Sequence, residues 1–272
     1  PMEFVVGGDM GTNRAIPICK LAGRLDPTFA LVGGDLAYAN GRDDFKWHEW
    51  IDNWTDFLVA PDGREIPIIA GIGNHEMKGL RVRKADAPYY FSFFDLPNNN
   101  NSNWSVDFGE YMSIVLLDSN HAQKVSSQNL WLRTQLNQRE NLPHLFAIYH
   151  RPAWGVGVKR NISDIQEDWS PLFEEFGVDC VFENDHHTYK RTHKIVGGVP
   201  DEEKGILYIG DGAWGAGLRE ITPQMISRVG GDVYLAKWAS VHHLVKVTLN
   251  PDGTKLYEAM SSDRNVFDSF LD

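Results

Sequence analysis

Three short apolar runs, each ending in glycine followed by polar side chains, constrain the fold of this chain more than any other feature. They read FVVGGD from Phe4, FALVGGD from Phe29 and IPIIAGIGNHE from Ile66. A short apolar run that stops at glycine is typical of a buried strand that emerges into a loop. In a parallel α/β sheet the carboxyl ends of the strands share one edge, where ligands bind. We therefore expect the polar residues that follow these runs to converge, namely Asp9, Asp35 and Asn74.

Predicted strands and helices alternate along most of the remaining sequence. Apolar runs at Met112 to Leu117, Leu145 to Tyr149 and Val178 to Phe182 are predicted strands, and polar residues again follow each of them. Between Asp43 and Leu58 the tryptophans recur at helical spacing, which predicts a helix with one aromatic face. Since the sequence after Ile206 is rich in predicted strands, the pattern favours two mixed sheets packed face to face with helices outside.

Three local expectations accompany this fold. The asparagine run Asn98 to Asn101 is predicted to be an exposed turn between antiparallel strands, and Lys190 with Arg191 a solvated edge. The two cysteines, Cys19 and Cys180, lie next to apolar runs and are expected to be buried free thiols. Because the candidate ligands are spread over most of the chain, we expect residues 1–272 to form a single domain.

Composition limits the partners of this chain. Its 272 residues carry 26 Lys and Arg against 37 Asp and Glu, a net charge of −11. This charge disfavours nucleic acid and anionic membrane surfaces, although bound cations can still attract a phosphorylated substrate. No apolar stretch approaches the length of a membrane span and no signal peptide is evident. Since the chain starts at Pro1 directly before a predicted strand, we expect an excerpt or a processed form, so a missing leader does not argue for the cytoplasm.

The polar residues at the predicted strand ends form a mixed set of nitrogen and oxygen donors. Carboxylate, phenol, amide and imidazole groups together suit a transition-metal site that performs hydrolysis. One aspartate between two ions would bridge them, as in two-metal phosphoryl enzymes, and Asp35 is the natural bridge. The candidate residues are Asp9, Asp35, Tyr38, Asn74, His75, His150, Asp185 and His187.

The ordered motifs GGDMGTN, GGDLAYA, GNHE, YHRP and NDHHTYKR resemble those of the purple acid phosphatases, within the calcineurin-like metallophosphoesterases. The resemblance covers about Phe4 to Thr192 and implies the metallophosphoesterase fold, a four-layer α/β/β/α sandwich. It implies two metal ions, with iron at the first site and Zn, Mn, Fe or Mg at the second. Carried over by position, it implies that Asp9, Tyr38 and His187 hold the first ion, that Asp35 bridges, and that Asn74 and His150 hold the second. His75 would contact the phosphate or protonate the leaving group.

The chain departs from the family pattern in two places. The family has glycine-histidine-x-histidine where this chain reads Asn184-Asp185-His186-His187. We expect Asp185 to bind the second ion and to favour a harder metal; the alternatives are that Asp185 misses the ion or that His186 turns in. The family also places further histidines near the substrate after the position of His150. Here the sequence has Arg151, Lys159 and Arg160, and Arg151 or Arg160 would bind phosphate oxygens instead.

The expected function is a metal-dependent hydrolase of phosphate esters, acid-phosphatase-like and acting on monoesters, in which metal-bound hydroxide attacks phosphorus in line. His75 and Arg151 would stabilise the charge that develops on the phosphoryl and leaving oxygens. A phosphodiesterase or nucleotide pyrophosphatase on the same centre is the alternative. A non-catalytic binding protein, with its second metal site impaired by Asp185, is a further one. The substrate is a small phosphate ester, and the resemblance implies a secreted or periplasmic protein. The sequence leaves its oligomeric state open.

Overall fold

The computed structural model describes residues 1–272, apart from the side chain of Asn99. Its strands are β1 (Met2–Gly7), β2 (Ala30–Val32), β3 (Ile68–Ala70), β4 (Trp104–Phe108), β5 (Met112–Leu116), β6 (His144–Ile148), β7 (Cys180–Glu183), β8 (Tyr189–Thr192), β9 (Ile195–Val196), β10 (Val199–Pro200), β11 (Leu207–Gly210), β12 (Leu235–Ala239), β13 (His243–Leu249), β14 (Lys255–Ser261) and β15 (Val266–Leu271).

Its α-helices are α1 (Ile16–Leu25), α2 (Asp44–Phe57), α3 (Tyr90–Phe93), α4 (Pro97–Asn100), α5 (Asn129–Asn137), α6 (Ser163–Asp168), α7 (Ser170–Glu175), α8 (Pro223–Arg228) and α9 (Gly231–Tyr234). Short 3-10 helices lie at Asn13–Ala15, Asn74–Glu76, Lys84–Asp86 and Ser126–Gln128.

The strands form two large mixed sheets. The first sheet has the order β15-β14-β13-β1-β2-β3 and the second has the order β12-β8-β11-β7-β6-β5-β4, while β9 and β10 pair separately. In the first sheet β1, β2 and β3 run parallel. In the second, β5, β6, β7 and β11 run parallel. The remaining strands extend both sheets in antiparallel fashion, so each sheet has one parallel portion whose carboxyl ends lie at one edge.

The two sheets pack face to face, and helices cover their outer faces. Phe4 of β1 meets Phe146 of β6 and Phe182 of β7, with ring centroids 5.7 and 6.5 Å apart. One buried cluster joins the first sheet to α1 and α2, and another joins the second sheet to α5, α6 and α7. The layers are therefore α/β/β/α, which confirms the predicted fold class.

Helix α2 follows from the tryptophan pattern. Asp43 caps its N-terminus, with its side chain accepting a hydrogen bond from the backbone N–H of Lys46 at 3.4 Å. Such a cap satisfies one of the donors that a helix leaves free at its first turn. Trp47, Trp50 and Trp54 are buried against the first sheet. The predicted aromatic face is thus a packing surface.

Two local predictions were wrong. The asparagine run contributes to helix α4, in which Pro97 occupies the first turn, a position where its missing N–H costs nothing. The segment before the run, where a turn between antiparallel strands requires the first strand, contains helix α3 instead. Lys190 is fully buried in an ion pair with Glu183, and Arg191 binds Asp268 at 2.7 Å, so this pair is no solvated edge. The pattern of polar and apolar residues along the sequence does not reveal that both faces of strand β8 are covered.

The cysteine prediction is confirmed, since Cys19 and Cys180 are both buried and free. Across residues 1–272, no helix combines the length and apolar character that crossing a membrane requires.

Candidate metal centre

The polar residues that follow the parallel strands meet between the two sheets. Asp9 follows β1, Asp35 follows β2, and Asn74 begins the 3-10 helix that follows β3. From the second sheet, His150 follows β6, while Asp185 and His187 follow β7. The structure brings these residues together, as expected, because the parallel strands of both sheets end at the same side of the molecule.

A first donor cluster consists of Asp9, Asp35 and His187, which each offer one ligand atom within 4.8 Å of the others. His187 Nε2 lies 3.1 Å from Asp9 Oδ1. The hydroxyl of Tyr38 joins this group, 3.0 Å from His187 Nε2 and 3.3 Å from Asp9 Oδ1. These are the four residues that the sequence predicted for the first ion and the bridge.

A second cluster consists of Asp35, His150 and Asp185 under the same distance limit. His150 Nε2 lies 3.3 Å from Asp35 Oδ2 and 3.5 Å from Asp185 Oδ1. The Asn74 amide lies beside both carboxylates: its nitrogen is 3.4 Å from Asp35 Oδ2 in one orientation and 3.0 Å from Asp185 Oδ1 in the other. Asp35 therefore belongs to both clusters, and Asp185 occupies the place of the family's histidine.

Backbone carbonyls orient the two candidate histidine ligands. His150 Nδ1 lies 3.1 Å from the carbonyl oxygen of Gly33, and His187 Nδ1 lies 3.0 Å from that of Gly217. A carbonyl oxygen can only accept a hydrogen bond, so each Nδ1 must carry the proton. Each Nε2 then points at the carboxylates and is the ring atom that would bind an ion once it gives up its proton. Histidines that bind metals in proteins are held in this way.

The backbone of the site is unusual. Asp9, Asp35, Tyr38, Asp185 and His187 all have positive φ angles, between 53° and 75°. Residues other than glycine rarely adopt this left-handed region, and it costs free energy that the rest of the fold must supply. Such conformations cluster at functional sites. The sharp turns aim side chains from different strand ends at one point.

Two glycines allow the strand ends to approach each other. A Cβ atom on Gly33 would lie 1.8 Å from the Asn184 amide, and one on Gly212 would lie 1.8 Å from Asp9 Oδ2. Asn184 in turn donates a hydrogen bond to the carbonyl oxygen of Tyr149 at 3.1 Å. Larger residues at either glycine would displace side chains of the site. The close packing at the site thus depends on Gly33, which belongs to one of the Gly-Gly pairs in the sequence, and on Gly212.

Glu76 is a structural member of the site that the sequence analysis did not identify. Its carboxylate accepts hydrogen bonds from the backbone N–H groups of Gly73, Asp35 and Leu36 at 2.7 to 2.9 Å. It is 1% exposed, so these bonds hold the loop after β2 to the loop after β3 without competing water. The only signal for Glu76 in the sequence was its place in the GNHE motif, in which the sequence analysis assigned roles to the asparagine and the histidine alone.

The electrostatics of the site favour bound cations. Burial raises the pKa of Asp9, against the effect of His150 and His187. Burial also opposes ionisation of Asp35 and Asp185, but His150 outweighs it together with His75 at Asp35 and Lys159 at Asp185, so each pKa lies below its ordinary value. The pKa of Tyr38 is raised by burial and by the charges of Asp9 and Asp35, so the phenol ionises only if a cation offsets them. Buried carboxylates at this density require positive charge nearby. The donor set therefore fits metal ions.

His75 and Arg151 line a cleft at the edge of the donor clusters. The backbone N–H of His75 donates to Asp35 Oδ1 at 2.7 Å. Its ring stacks on Tyr38 with centroids 4.1 Å apart, and its Nδ1 lies 2.6 Å from Asn40 Oδ1. Arg160 lines a different cavity together with Arg228. It does not line this cleft, where it was considered as a phosphate ligand.

The neighbouring histidines do not join the clusters. The ring of His186 is buried and faces Asp211, with Nδ1 3.3 Å from Oδ2. His121 is buried next to His150, with ring centroids 5.3 Å apart, and its Nε2 lies 3.2 Å from Ser119 Oγ. The segment after β7, with Asp185 and His187 in left-handed conformations, thus directs these two side chains to the site and His186 away from it.

The fold and the family match together define the class of protein, a phosphoesterase with candidate metal donors between two sheets. Residues 4–211 match the calcineurin-like phosphoesterase family, and the chain belongs to that family. It is 28% identical over 235 residues to purple acid phosphatase 18 of Arabidopsis thaliana, covering 80% of this chain and 51% of that protein. The predicted resemblance is confirmed. The chain spans about half the length, or less, of the curated relatives it matches.

Solved structures share the fold at lower identity. A purple acid phosphatase from yellow lupin seeds has a TM-score of 0.74 and 20% identity, with 99% of this chain and 53% of that chain covered. An anchor protein of the inner membrane complex of Plasmodium has a TM-score of 0.68 and 14% identity, with 99% and 87% covered. Since identity is below 25% in both cases, these likenesses show the fold alone.

Proposed function

We propose that this chain is a single catalytic domain that hydrolyses phosphate esters, monoesters above all, at a dinuclear metal centre. The observation that carries the proposal is the pair of donor clusters that share Asp35. Asp9, Tyr38 and His187 would hold one ion and Asn74, His150 and Asp185 the other. Family membership and the purple acid phosphatase relatives support the same reaction class. The substrate is a small phosphate ester.

The types of donor atom indicate which metals each site would bind. A tyrosine oxygen is a known protein ligand of iron, which supports iron at the first site. The second site has two carboxylates, an imidazole and an amide, and oxygen-rich sets of this kind suit Mn or Mg as well as Zn or Fe. Bound ions would lower the pKa of water to supply a nucleophile near neutral pH and would neutralise charge on the phosphoryl group.

The residues of the chain itself would position the phosphate and the leaving group. His75 stands at the boundary between the donor clusters and the cleft, with its Nδ1 fixed by Asn40. Its Nε2, 3.8 Å from Asp35 Oδ2, is free to contact a phosphoryl oxygen or to protonate the leaving alkoxide. Arg151 lines the same cleft and would bind phosphoryl oxygens bidentately. Burial lowers the pKa of His75, an effect that the nearby carboxylates oppose.

Phosphodiester or nucleotide pyrophosphate hydrolysis on the same centre is the alternative within this reaction class. A non-catalytic binding protein is favoured by one observation: Lys159 Nζ lies 2.5 Å from Asp185 Oδ1, where a second ion would need that carboxylate. The fold alone does not decide, because it also occurs in an anchor protein.

Hydrolysis assays with a panel of phosphate monoesters, phosphodiesters and nucleotides test the proposal. The unsubstituted protein should release phosphate from monoesters. The kcat of Asp35→Asn should be at least about 100-fold lower, because the substitution removes the ligand that both ions would share. Asp26→Asn, an exposed aspartate remote from the centre, is the matched control. Hydrolysis of diesters alone supports the alternative; no hydrolysis with any metal refutes the proposed function.

A further inference from the structure

The cleft beside the candidate metal centre is larger than one phosphoryl group requires. It has a volume of about 600 Å³. Asn74 and His75 line its inner end, where the donor clusters lie. Four cationic residues line it together with uncharged ones, namely Arg42, Lys78, Arg151 and Lys159. A substrate whose scissile phosphate lies at the centre would extend along these side chains.

The positive charge of the cleft contrasts with the whole chain. The net charge is −11, yet the seven residues from Lys78 to Lys84, KGLRVRK, contain four cationic side chains and no acidic one. This segment runs along the border of the cleft from Lys78 to Leu80. A local excess of one sign in a protein of the opposite sign concentrates the potential at that place and attracts counter-charged ligands.

Several of these cations already have partners. Lys159 is bound to Asp185, Arg83 to Asp86, and Lys84 Nζ donates to the carbonyl oxygen of Asn100. In contrast, Arg42, Lys78 and Arg151 form no ion pair with any residue that the structure describes.

Arg42 and Lys78 are held next to each other. Arg42 Nη2 donates to the carbonyl oxygen of Lys78 at 3.1 Å, and the backbone N–H of Lys78 donates to the carbonyl oxygen of Asp86 at 2.7 Å. Two exposed cationic residues thus lie at the same wall of the cleft, and the nearby Asp86 carboxylate is already bound by Arg83.

We propose that Arg42 and Lys78 bind a second anionic group of the substrate, so that the preferred substrates are phosphate esters with two phosphate groups. This inference rests on the proposed function and adds the substrate class. The two ions, His75 and Arg151 suffice for the scissile phosphate. A second phosphate in the cleft would then lie against Arg42, whose guanidinium binds phosphate oxygens bidentately, and against the ammonium group of Lys78.

The test compares substrates that differ by one phosphate group: the monophosphates and bisphosphates of propane-1,3-diol and hexane-1,6-diol. We expect kcat/KM to be at least about tenfold higher for one of the bisphosphates than for its monophosphate, a difference of about 1.4 kcal/mol. The ratio should fall about tenfold in the double variant Arg42→Gln/Lys78→Gln. It should also fall as salt rises, because exposed charges are screened.

The double variant Arg24→Gln/Lys204→Gln is the matched control, since it removes two exposed cations outside the cleft. It should leave the ratio of bisphosphate to monophosphate unchanged. Equal ratios in all three proteins, or no preference for either bisphosphate, overturn the proposal.

Calorimetric binding of hexane-1,6-diol bisphosphate separates this inference from the proposed function. If no substrate is hydrolysed, the proposed function fails, but binding still reports on the cleft. Weaker binding by Arg42→Gln/Lys78→Gln than by the control supports the second anion site. Binding of equal strength, or none to any of the three proteins, contradicts it.

Discussion

At the scale of single residues, Asp35 and Asp185 determine what the centre can hold. Asp35 receives the backbone N–H of His75 on Oδ1 and faces His150 with Oδ2, and it belongs to both donor clusters. Asp185 lies in the second cluster but also binds Lys159. The ammonium group and a divalent ion would therefore compete for one carboxylate.

Lys159→Met should raise the affinity of the second site for a divalent ion by about tenfold, because it removes a positive charge from the Asp185 carboxylate. Calorimetric titration of the metal-depleted protein with Mn²⁺ measures this change. Arg160→Met is the control, since Arg160 is the adjacent cation in sequence and lines a different cavity. An unchanged affinity, or an equal change in the control, would show that Lys159 does not compete for the site.

His75→Ala should lower kcat by about 100-fold or more while both ions stay bound, because the role proposed for His75 is to contact the phosphate or the leaving group rather than metal. Its ring stacks on Tyr38, so His75→Phe, which keeps an aromatic ring, separates the effect of packing from that of the imidazole. Steady-state kinetics and elemental analysis of the same samples give both quantities. Loss of metal in the alanine variant, with kcat recovered in proportion when metal is added, would assign His75 to metal binding instead.

At the scale of elements, the short 3-10 helix Asn74–Glu76 joins two loops of the centre. Glu76 accepts three backbone hydrogen bonds, one from its own loop and two from the loop of Asp35. Leaving buried donors without partners costs about 1 to 3 kcal/mol each. Glu76→Ala should therefore lower the free energy of unfolding by at least about 3 kcal/mol.

Urea denaturation of the metal-depleted proteins measures this effect without the contribution of bound ions. Glu76→Gln keeps one acceptor oxygen and should show an intermediate loss. If the alanine variant unfolds at the same urea concentration as the unsubstituted protein, Glu76 does not hold the loops together.

The elements near the site followed well from the sequence, because apolar strands that end in Gly-Asp and a helix with regular tryptophans have strong periodicity. Segments whose structure depends on tertiary contacts were not predicted correctly from the sequence. The Asn98 to Asn101 run forms part of a helix that starts at Pro97, and β15 had no predicted counterpart because its exposed and half-buried positions do not alternate strictly. Lys190 of β8 is buried in an ion pair with Glu183 of β7, a strand separated from β8 by β11 in the sheet, so the contact depends on the strand order.

The sequence also predicted which residues of the candidate site lie close together. Motif order predicted which side chains converge, but not how they are held. The role of Glu76, the carbonyl partners of His150 and His187, and the ion pair between Lys159 and Asp185 all depend on contacts between segments that are distant along the chain. Such contacts became visible only when the two sheets were packed together.

At the scale of the whole molecule, the interior also responds to pH away from the metal centre. His243 at the start of β13 is buried against Tyr189 and Phe267, and its Nδ1 donates to the carbonyl oxygen of Val241 at 3.0 Å. Burial lowers the pKa of His243 from 6.5 to about 4. The unfolded chain thus binds this proton at higher pH than the folded one does.

The free energy of unfolding should therefore fall between about pH 6.5 and pH 4, with His243 contributing up to about 3 kcal/mol of the loss. In His243→Gln, which cannot take up a proton, the decrease across this range should be smaller by that amount. Urea denaturation of the two metal-depleted proteins at several pH values provides the comparison. Identical slopes would mean that His243 is not held neutral by the fold.

Metal stoichiometry is the most direct test of the central claim, which is that Asp35 joins two cation sites into one hydrolytic centre. Elemental analysis of protein purified without chelator, with a visible spectrum of the same sample, should show two metals per chain, including iron with a tyrosinate absorption band. In Asp35→Asn the content should fall well below two, and Tyr38→Phe should lose the band. One metal or none in the unsubstituted protein, even after incubation with iron and Mn²⁺, would contradict the account.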